Sequence, residues 1–522
     1  MTQSNVQSLF KNTLGAALCT IACMATALQA EAAPLGFFKT GHFFDLHGGD
    51  VVLGGVNLSQ MLNVPNLQPN IDPQVPVKFS RLRVEAGRFV DQQGGDVVLR
   101  GFNLSQLHKV PNFRPNNDPQ LFDKLTRLGV NVVRLQFNWE AFELQPGVYD
   151  ESYLTYYAGV VERAAASGVY VLVDIHQDAF SRWALGGCGE GFPRWAIPAG
   201  IPQSTPDNGV KCADWALQAG FFRKKEMERA FNEFMTPGNF ARGRYMALLD
   251  RLAQRFVHAP NVIGYDLLNE PFGSAQNIIK MYQDGAAVVR AAHPDAIVFV
   301  EPEMWTGLGL QATKLTNPGI SNLVYAPHYY DALTPVKGWS GLRYEPVAAR
   351  NRELAKKWGA AVFMGEFGTR PSMVAPRFMD MMYSDLEQFG ESSAQWSYTA
   401  EWNPKTKDGW NNEDLSVVDD KGRLRNNFAA RPYVMRTAGT YGQWQKSAGL
   451  AWLGIPTSIT YTWQHQPGRG TTDVFVPTSV LGGRAQPSIS VLPWTMSCQW
   501  LAAKQVVRCA SDQSGVARLT VK

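Results

Sequence analysis

Short apolar runs rich in β-branched residues alternate with amphipathic stretches through the middle of the chain. The runs predict eight strands, at residues 97–103, 131–137, 170–175, 262–268, 296–301, 323–328, 361–366 and 394–398. The stretches between them, such as 118–129 and 151–168, repeat apolar residues at helical spacing. Strands that are apolar throughout and separated by helices are typical of a parallel sheet covered on both faces. Eight such units over about 300 residues favour an α/β fold closed into a (β/α)8 TIM barrel, with a doubly wound open sheet as the alternative.

The pattern changes towards the C-terminus. Residues 440–522 show short alternating runs broken by glycine and proline, which predict an antiparallel β-sandwich domain. We therefore divide the chain into a signal peptide at 1–33, a duplicated lead-in segment at 34–86, a barrel at 87–430 and a C-terminal β-sandwich at 431–522.

Composition and charge narrow the partners of the protein. The formal net charge is +4 over 522 residues and no long lysine or arginine block occurs, so nucleic-acid binding has no compositional support. Lys11 precedes an apolar run that small residues follow, which is typical of a secretory signal peptide. No later run reaches the about 18 apolar residues of a membrane span. We expect a secreted or periplasmic, soluble monomer.

Four cysteines remain after the signal peptide. They are Cys188, Cys212, Cys498 and Cys509. An even number in an exported chain favours disulfides, and nearest-neighbour pairing gives Cys188–Cys212 and Cys498–Cys509, with four free thiols as the alternative. No metal site is expected, because no cysteine pair has zinc-site spacing and no nearby histidine completes one.

Polar residues follow most of the predicted strands at their C-terminal ends, which meet at one face of such a barrel. They are Asn103, Arg134, Asn138, His176, Asp178, Asn269, Glu270, Glu301, His328, Tyr330, Glu366 and Trp396. Any one of them could be a solvated loop residue. The set as a whole predicts an active site at that face.

Glu270 and Glu366 follow the fourth and seventh strands and would face each other across the barrel mouth. Two facing carboxyl groups suit glycoside hydrolysis, in which a retaining enzyme needs them about 5–5.5 Å apart, one as nucleophile and one as acid/base. Arg134 is expected to keep the nucleophile ionised, and burial is expected to raise the pKa of the acid/base. No GxSxG or HExxH motif supports serine-hydrolase or zinc-protease chemistry.

The motifs around these residues resemble glycoside hydrolase family 5. They are "GYDLLNEPFG" (264–273), "HYY" (328–330), "GEFG" (365–368), Arg134 and Trp396. With "DIHQD" (174–178) and "RPYVMRTAGT" (431–440), they resemble the endoglycoceramidase-like branch of that family. The resemblance covers residues 87–522.

The resemblance implies a covalent glycosyl intermediate and retention of β configuration. It implies Glu270 as acid/base and Glu366 as nucleophile. It further implies that Lys109, His176, Asp178 and His328 contact the sugar, that Asn269 binds its 2-hydroxyl, that Tyr330 and Arg134 hold Glu366, and that Trp396 is a stacking floor. No cofactor is implied. The histidines could instead be packed core residues, Trp396 barrel filler and Lys109 a solvated side chain.

The same resemblance implies hydrolysis of the bond between a β-linked glucose or oligosaccharide and a lipid such as ceramide, with transient contact with a membrane surface. Aromatic residues of the long loop after the third strand could line a groove for the lipid or form an ordinary loop core: Phe192, Trp195, Trp215, Phe221 and Phe222. An endo-β-glucanase or mannanase, and a catalytically inactive carbohydrate-binding protein, are the alternatives.

The lead-in segment nearly repeats the start of the barrel. Gly41–Gln74 and Gly87–Gln120 are identical at 22 of 34 positions, at an offset of 46 residues. Only the second copy runs directly into a predicted helix, so we expect it to form the first strand and to carry Lys109, where the first copy has Asn63. The first copy is expected to be accessory or loosely ordered, with a second sugar-binding element as the alternative.

Overall fold

The computed structural model describes residues 37–39, 42–44, 79–115, 118–206, 223–309, 311–331, 344–447 and 458–522. The chain divides into two compact units, Met1–Ile71 and Asp72–Lys522. In the first unit, β1 (Phe37–Lys39) pairs antiparallel with β2 (His42–Phe44).

The second unit contains the elements that form the barrel and the sandwich. Its strands are β3 (Arg83–Glu85), β4 (Arg88–Val90), β5 (Asp96–Val97), β6 (Arg100–Leu104), β7 (Val132–Asn138), β8 (Glu143–Gln145), β9 (Val148–Tyr149), β10 (Tyr170–His176), β11 (Val262–Asp266), β12 (Ile297–Val300), β13 (Leu323–Tyr325), β14 (His328–Tyr329), β15 (Ala361–Met364), β16 (Glu366–Phe367), β17 (Ser392–Tyr398), β18 (Tyr433–Thr437), β19 (Gly439–Ser447), β20 (Ser458–His465), β21 (Thr472–Phe475), β22 (Ile489–Leu492), β23 (Ser497–Leu501), β24 (Val506–Ala510) and β25 (Gly515–Val521). Its α-helices are α1 (Leu121–Arg127), α2 (Trp139–Phe142), α3 (Glu151–Ala166), α4 (Lys224–Met235), α5 (Phe240–Phe256), α6 (Ala275–Ala292), α7 (Tyr344–Trp358) and α8 (Ala375–Phe389).

Eight of the strands close into a parallel barrel in the order β6-β7-β10-β11-β12-β13-β15-β17. The predicted (β/α)8 barrel is therefore confirmed, and the doubly wound alternative is wrong. The helices between the strands follow local sequence signals. In α3, for example, the Asp150 side chain accepts hydrogen bonds from the first backbone N–H groups. The chain leaves this helix at Gly168, whose φ of 76° suits glycine.

A short parallel pair extends the barrel at its C-terminal end. β14 pairs with β16, and this register places His328 opposite Glu366. The pair therefore brings the ends of the sixth and seventh barrel strands together at the mouth, where the polar residues were predicted to meet.

The first barrel strand is shorter than predicted. It begins at Arg100 rather than at residue 97, because Asp96–Val97 pairs antiparallel with Arg436–Thr437 of β18 instead. The second copy of the repeat forms this barrel strand, as expected. The first copy lies outside the described residues apart from His42–Phe44, so its predicted role stays a prediction.

Two antiparallel sheets form the C-terminal domain. Their orders are β23-β24-β21-β18-β5-β4-β3 and β19-β20-β25-β22. Trp463 and Leu519 of the second sheet share one buried core with Val474 and Val507 of the first, which is the arrangement of a β-sandwich. Three strands from before the barrel thus complete a sheet whose other strands come from after it, a pairing between sequence-distant segments that the local pattern does not reveal.

The structure also bears on the cysteines and the N-terminus. Cys498 and Cys509 are joined by a disulfide between β23 and β24. Cys212 and the signal peptide at 1–33 lie outside the described residues, so the Cys188–Cys212 pairing and the leader stay predictions. In the ranges that the structure describes, none of the helices combines the length and hydrophobicity needed to cross a membrane.

Removing residues 36–71 is expected to leave the predicted hydrolytic activity within about twofold of that of the full chain. This deletion keeps two residues that contact the barrel: Phe79 packs against Tyr170, and Arg81 forms an ion pair with Asp295. The matched deletion of residues 36–81 removes these contacts and should lower the melting temperature. Turnover and thermal unfolding of both deletions check this. A folded but inactive 36–71 deletion would contradict it and would favour a binding role for the first copy.

Candidate active site

Arg134 lies in the centre of the barrel mouth. It comes from β7 and is fully buried. Its guanidinium donates hydrogen bonds at 2.7–3.0 Å to Asn103, Asp174, Asp266, Asn269, Glu301 and Glu366. Burial alone would lower the pKa of Arg134, but the four carboxylates raise it well above its usual value. Arg134 therefore compensates the negative charge gathered at the strand ends.

Glu366 is held by two donors. Arg134 Nη1 donates to its Oε1 at 2.7 Å, and the Tyr330 hydroxyl donates to its Oε2 at 2.8 Å. Hydrogen bonds to the charged form of a carboxyl group favour that form. Both contacts match the arrangement expected from the sequence, and they leave Glu366 suited to act as an ionised nucleophile.

Glu270 has a different environment. Burial, the largest influence, raises the pKa of Glu270 to about 7, although the His328 imidazole at 3.0 Å opposes this. The residue has a φ of 39°, and its backbone N–H donates to Glu301 Oε2 at 2.7 Å. A carboxyl group with such a pKa can hold a proton near neutral pH and release it during a reaction.

The two carboxyl groups are close together. One oxygen of Glu270, one of Glu366 and one nitrogen of His328 lie within 4.8 Å of one another. These oxygens are therefore no further apart than the about 5–5.5 Å between the carboxyl groups of retaining glycosidases, and closer than the about 6.5–9.5 Å of inverting ones. Two carboxyl groups at this distance, in environments that favour opposite protonation states, can serve as nucleophile and acid/base.

Residues 90–405 match the family Cellulase (glycosyl hydrolase family 5). The chain belongs to glycoside hydrolase family 5. The family 5 match covers the whole barrel up to the end of β17 and includes both carboxylates.

The chain is also similar to individual proteins of known activity. Endoglycoceramidase I of Rhodococcus hoagii is 30% identical over 226 residues, which span 39% of this chain and 43% of that protein. Endoglucanase CelA of Streptomyces lividans is 29% identical over 208 residues, or 36% and 42% of the two chains. The chain thus spans less than half the length of these relatives. The structure of endo-glycoceramidase II from Rhodococcus sp., in its ganglioside GM3 complex, has a TM-score of 0.67 at 22% identity, over 84% of this chain and 99% of that one. It shares the fold.

Lys109 lies beside the carboxyl pair of this family 5 site. Its ammonium group is bonded to Asp178 and lies 4.2 Å from the ring centroids of both Trp396 and Trp410. Burial alone would lower the pKa of Lys109, but Asp178 and other carboxylates raise it, so the group stays a cation. The reading of Lys109 as a solvated loop residue is wrong, because its side chain is buried.

His176 is part of the same cluster. Its Nδ1 lies 2.6 Å from Asp174, its Nε2 lies 3.5 Å from Asp178, and its ring stacks on Trp396 with centroids 5.6 Å apart. Burial alone would lower the pKa of His176, but Asp174 and Asp178 raise it to about 10. The histidine therefore links the two acidic residues as a cation.

Asn269 precedes the acid/base candidate, and both ends of its side-chain amide are hydrogen-bonded to protein groups. Its Oδ1 accepts from Arg134 and its Nδ2 donates to the carbonyl of Gln177 at 2.9 Å. An amide nitrogen carries a second hydrogen, so Nδ2 has the capacity for one further hydrogen bond.

A cavity of about 180 Å³ joins most of the predicted residues. Its polar lining consists of Lys109, Asp178, Glu270, Tyr330, Glu366, Trp396 and Glu413, and its apolar lining includes Met304, Leu308 and Leu415. His176 and Arg134 lie behind this surface and contact its residues. The structure thus brings together the residues that the sequence singled out.

Two three-residue clusters have ligand atoms close enough for a metal ion: Glu270–His328–Glu366 and His176–Asp178–Glu190. Burial alone would lower the pKa of His328, but Glu301 and Glu366 raise it well above its usual value, and His176 is raised as well. Each histidine is also held by an acidic residue of its cluster: His328 Nδ1 lies 3.0 Å from Glu270, and His176 Nε2 lies 3.5 Å from Asp178. The expected absence of a metal site stays a prediction.

Some site residues were missed by sequence reasoning. Asp174 and Asp266 are charged residues inside apolar strands, a signal that could have identified them. Trp410 and Glu190 lie in long loops without periodicity, where no such signal exists. Burial raises the pKa of Glu190 to about 8, and its carboxylate accepts a hydrogen bond from Asn138.

The structure decides part of the prediction for the aromatic loop after β10. Phe192 is 1% exposed and stacks on Phe180 with centroids 4.1 Å apart, so it belongs to the barrel core and not to a lipid groove. Trp195 is half-buried against Trp139. Trp215, Phe221 and Phe222 lie outside the described residues.

The value of kcat/KM is expected to fall as pH rises through about 7. The raised pKa of Glu270 means that the protonated form predominates below about 7, and only that form can donate to a leaving group. A kcat/KM profile from pH 5 to 9 measures this. A profile that is flat up to pH 9 would contradict the assignment of Glu270 as the acid.

Proposed function

We propose that the protein is a retaining β-glycosidase that releases a β-linked glucose or oligosaccharide from a lipid aglycone such as ceramide. The reaction type rests on one observation: one oxygen of Glu270 and one oxygen of Glu366 lie within 4.8 Å of each other. The opposed environments of the two carboxyl groups support the same assignment, since burial raises the pKa of Glu270 while Arg134 and Tyr330 donate to Glu366.

The first step forms a covalent intermediate. A Glu366 oxygen attacks the anomeric carbon and forms an ester bond, while the bond to the aglycone oxygen breaks and that oxygen takes the Glu270 proton. In the second step Glu270, now a carboxylate, removes a proton from water. The resulting oxygen nucleophile displaces Glu366, and two inversions restore the β configuration.

The residues around the carboxyl pair would bind the sugar. Lys109 and Asp178 present opposite charges to hydroxyl groups, and Trp396 supplies an aromatic face to the cavity. His176 and His328 would contact the sugar or orient its partners, and the second Nδ2 hydrogen of Asn269 would meet the 2-hydroxyl. The buried ion pairs hold these groups in place before the substrate arrives.

The lipid part of the proposal rests on the apolar residues of the cavity. Met304, Leu308 and Leu415 line it together with the charged groups, and such a lining suits an aglycone that contains hydrocarbon. The similarity to endoglycoceramidase I of Rhodococcus hoagii supports the same class of substrate.

A glycolipid panel tests this function. The protein would be incubated with glucosylceramide, lactosylceramide, a ganglioside and a steryl glucoside, and the released sugar and its first-formed anomer would be determined. Release of a β-anomer from at least one of these lipids is expected. An α-anomer would overturn the retaining mechanism, and no release from any of them would overturn the lipid specificity.

A polysaccharide endoglucanase is the second candidate, because the Streptomyces lividans relative is named an endoglucanase. It predicts turnover of carboxymethyl-cellulose without detergent and no release from the glycolipid panel.

The proposal also includes transient contact with a membrane surface. Leu144 and Val148 of the β8–β9 hairpin are 59% and 54% exposed, and Phe240 at the start of α5 is 64% exposed. Trp195 joins them, because its indole donates to the carbonyl of Glu143 and its ring lies 6.2 Å from that of Phe240. These loops follow strand ends on the face of the barrel that carries the site.

Replacing Leu144, Val148 and Phe240 together by serine is expected to lower turnover of glucosylceramide in phosphatidylcholine vesicles by about tenfold or more. Three large apolar side chains would no longer enter the lipid interface. Turnover of a soluble aryl β-glucoside is the control and should stay within about twofold. Equal vesicle turnover by the variant and the parent would contradict membrane contact through this patch.

Export through residues 1–33 is proposed on the apolar run and small residues of the N-terminus. Mass spectrometry of the protein recovered from a secreting host should show a chain that begins near residue 34. A chain that keeps its N-terminus inside the cell would contradict export.

A further inference from the structure

Glu301 contacts Glu270 directly and Glu366 only through Arg134 and His328, although the reaction described above does not use it. It follows β12 and is 1% exposed. Its Oε1 accepts from Arg134 at 2.8 Å and lies 3.3 Å from His328 Nε2, and its Oε2 accepts from the backbone N–H of Glu270 at 2.7 Å. Glu301 therefore joins the backbone of the acid/base, the imidazole beside it and the arginine that holds the nucleophile.

The backbone contact has a specific task. Glu270 has a φ of 39°, a conformation that residues other than glycine rarely adopt and that persists only where surrounding contacts hold it. A hydrogen bond from a backbone N–H to an ionised carboxylate is stronger than one to a neutral acceptor. The Glu301 contact therefore fixes the direction in which the Glu270 side chain leaves the backbone.

The imidazole contact has a second task. His328 lies between two acidic residues, with Nδ1 3.0 Å from Glu270 and Nε2 3.3 Å from Glu301. Burial opposes the charge of both Glu301 and His328, yet the pKa of Glu301 is lowered by His328 and Arg134, and that of His328 is raised by Glu301 and Glu366. Glu301 thus holds His328 as a donor aimed at the Glu270 carboxyl group.

The groups around Glu301 favour its ionised form. Arg134 from β7 and His328 from β14 face it as cations, and Asp266 from β11 shares a hydrogen bond with it. Burial and the neighbouring Glu301 raise the pKa of Asp266 well above its usual value, so of the two Asp266 binds a proton more readily. One negative charge on Glu301 is therefore matched by cations on both of its sides.

We propose that Glu301 is a positioning residue for acid catalysis, which orients Glu270 towards the leaving-group oxygen through the Glu270 backbone and the His328 side chain. The inference rests on the proposed glycosidase function. It predicts that the loss of Glu301 impairs the step that needs a proton more than the attack by Glu366.

The test compares substrates that need the acid to different degrees. Dinitrophenolate leaves without protonation, whereas phenolate needs the proton, so 2,4-dinitrophenyl β-glucoside and phenyl β-glucoside separate acid catalysis from nucleophilic attack. General acid catalysis contributes about 10²–10⁴-fold. Glu301→Gln keeps the shape and an acceptor oxygen but removes the charge. It should lower kcat/KM for the phenyl substrate at least about tenfold more than for the dinitrophenyl substrate.

Glu303→Gln is the matched control. Glu303 is also a buried carboxylate, two residues further on, but it accepts from Thr313 and from the backbone of Lys314, away from the carboxyl pair. Glu303→Gln should change kcat/KM for either substrate by less than about twofold, because Glu303 takes no part in the reaction. Melting temperatures of both variants show whether the fold is kept.

The outcomes separate this inference from the function on which it rests. If Glu301→Gln lowers kcat/KM equally for the two substrates, or lowers neither, the positioning role is overturned. Cleavage of the same substrates by the parent enzyme would still support the glycosidase function. Failure of the parent to cleave either aryl glucoside would overturn both. If Glu301→Gln does not fold, Glu301→Asp keeps the charge with a shorter reach and should show the same bias towards the phenyl substrate. Loss of fold in both variants would assign Glu301 to the stability of the barrel and end the proposal.

Discussion

Replacing Glu366 by glutamine is expected to lower kcat/KM for any cleaved β-glucoside by about 10³-fold or more, because an amide cannot form the ester intermediate. Glutamine has nearly the same shape and can still accept from Tyr330, which donates to Glu366 at 2.8 Å. The fold should therefore survive, and the melting temperature should change little. Residual activity above one hundredth of the parent value would contradict the assignment of Glu366 as nucleophile.

Azide distinguishes the two carboxyl groups from each other. In Glu366→Ala, azide can occupy the vacated space and displace dinitrophenolate once, which gives an α-glucosyl azide. In Glu270→Ala, the intermediate on Glu366 still forms with this leaving group, and azide then takes the place of water, which gives a β-glucosyl azide. Identification of the two anomers by NMR checks the roles. The reverse pattern would mean that the roles are exchanged.

Replacing Arg134 by leucine is expected to destabilise the protein more than any other single change at the site. The substitution leaves four carboxylates without the guanidinium that donates to them. Removing one partner of a buried pair costs about 3–5 kcal/mol, which should lower the melting temperature by at least about 5 °C. Thermal unfolding followed by circular dichroism measures this.

The destabilisation should depend on pH. Buried carboxylates without a cation bind protons more tightly in the folded variant than in the unfolded chain, so the stability of the variant rises as pH falls. The loss in Arg134→Leu is therefore expected to be smaller at pH 5 than at pH 8. Arg81→Leu, which removes an exposed ion pair with Asp295, is the control and should cost less than about 1 kcal/mol at either pH. Equal losses at both pH values in Arg134→Leu would contradict this explanation.

The carboxyl pair could be found without the structure because the fold makes strand ends converge. Glu270 and Glu366 are 96 residues apart in the chain, yet each follows an apolar run that is recognisable as a barrel strand. Once eight such runs alternate with helices, the geometry of a parallel barrel places their C-terminal ends at one mouth. The second copy of the repeat could be assigned to the first barrel strand in the same way, since only that copy leads into a helix.

The strand bounds were less well determined by the local pattern. Residues 97–103 read as one extended run, but the structure divides this region between β5 (Asp96–Val97) of the sandwich and β6 (Arg100–Leu104) of the barrel. The division depends on β18, more than 300 residues later, whose Arg436 and Thr437 pair with Val97 and Asp96. Pairing between distant strands leaves no trace in the sequence around residue 97.

The sequence by itself determined the barrel, the sandwich and the two carboxylates, because apolar periodicity and strand-end polarity are local properties that a parallel barrel converts into position. Only the tertiary structure decided which charges meet. It placed six acceptors around Arg134, enclosed Lys109 between Trp396 and Trp410, and moved Phe192 from a presumed groove into the core. It also gave Glu270 its raised pKa, since burial and neighbouring charge depend on groups that are distant in sequence and adjacent only in the folded chain.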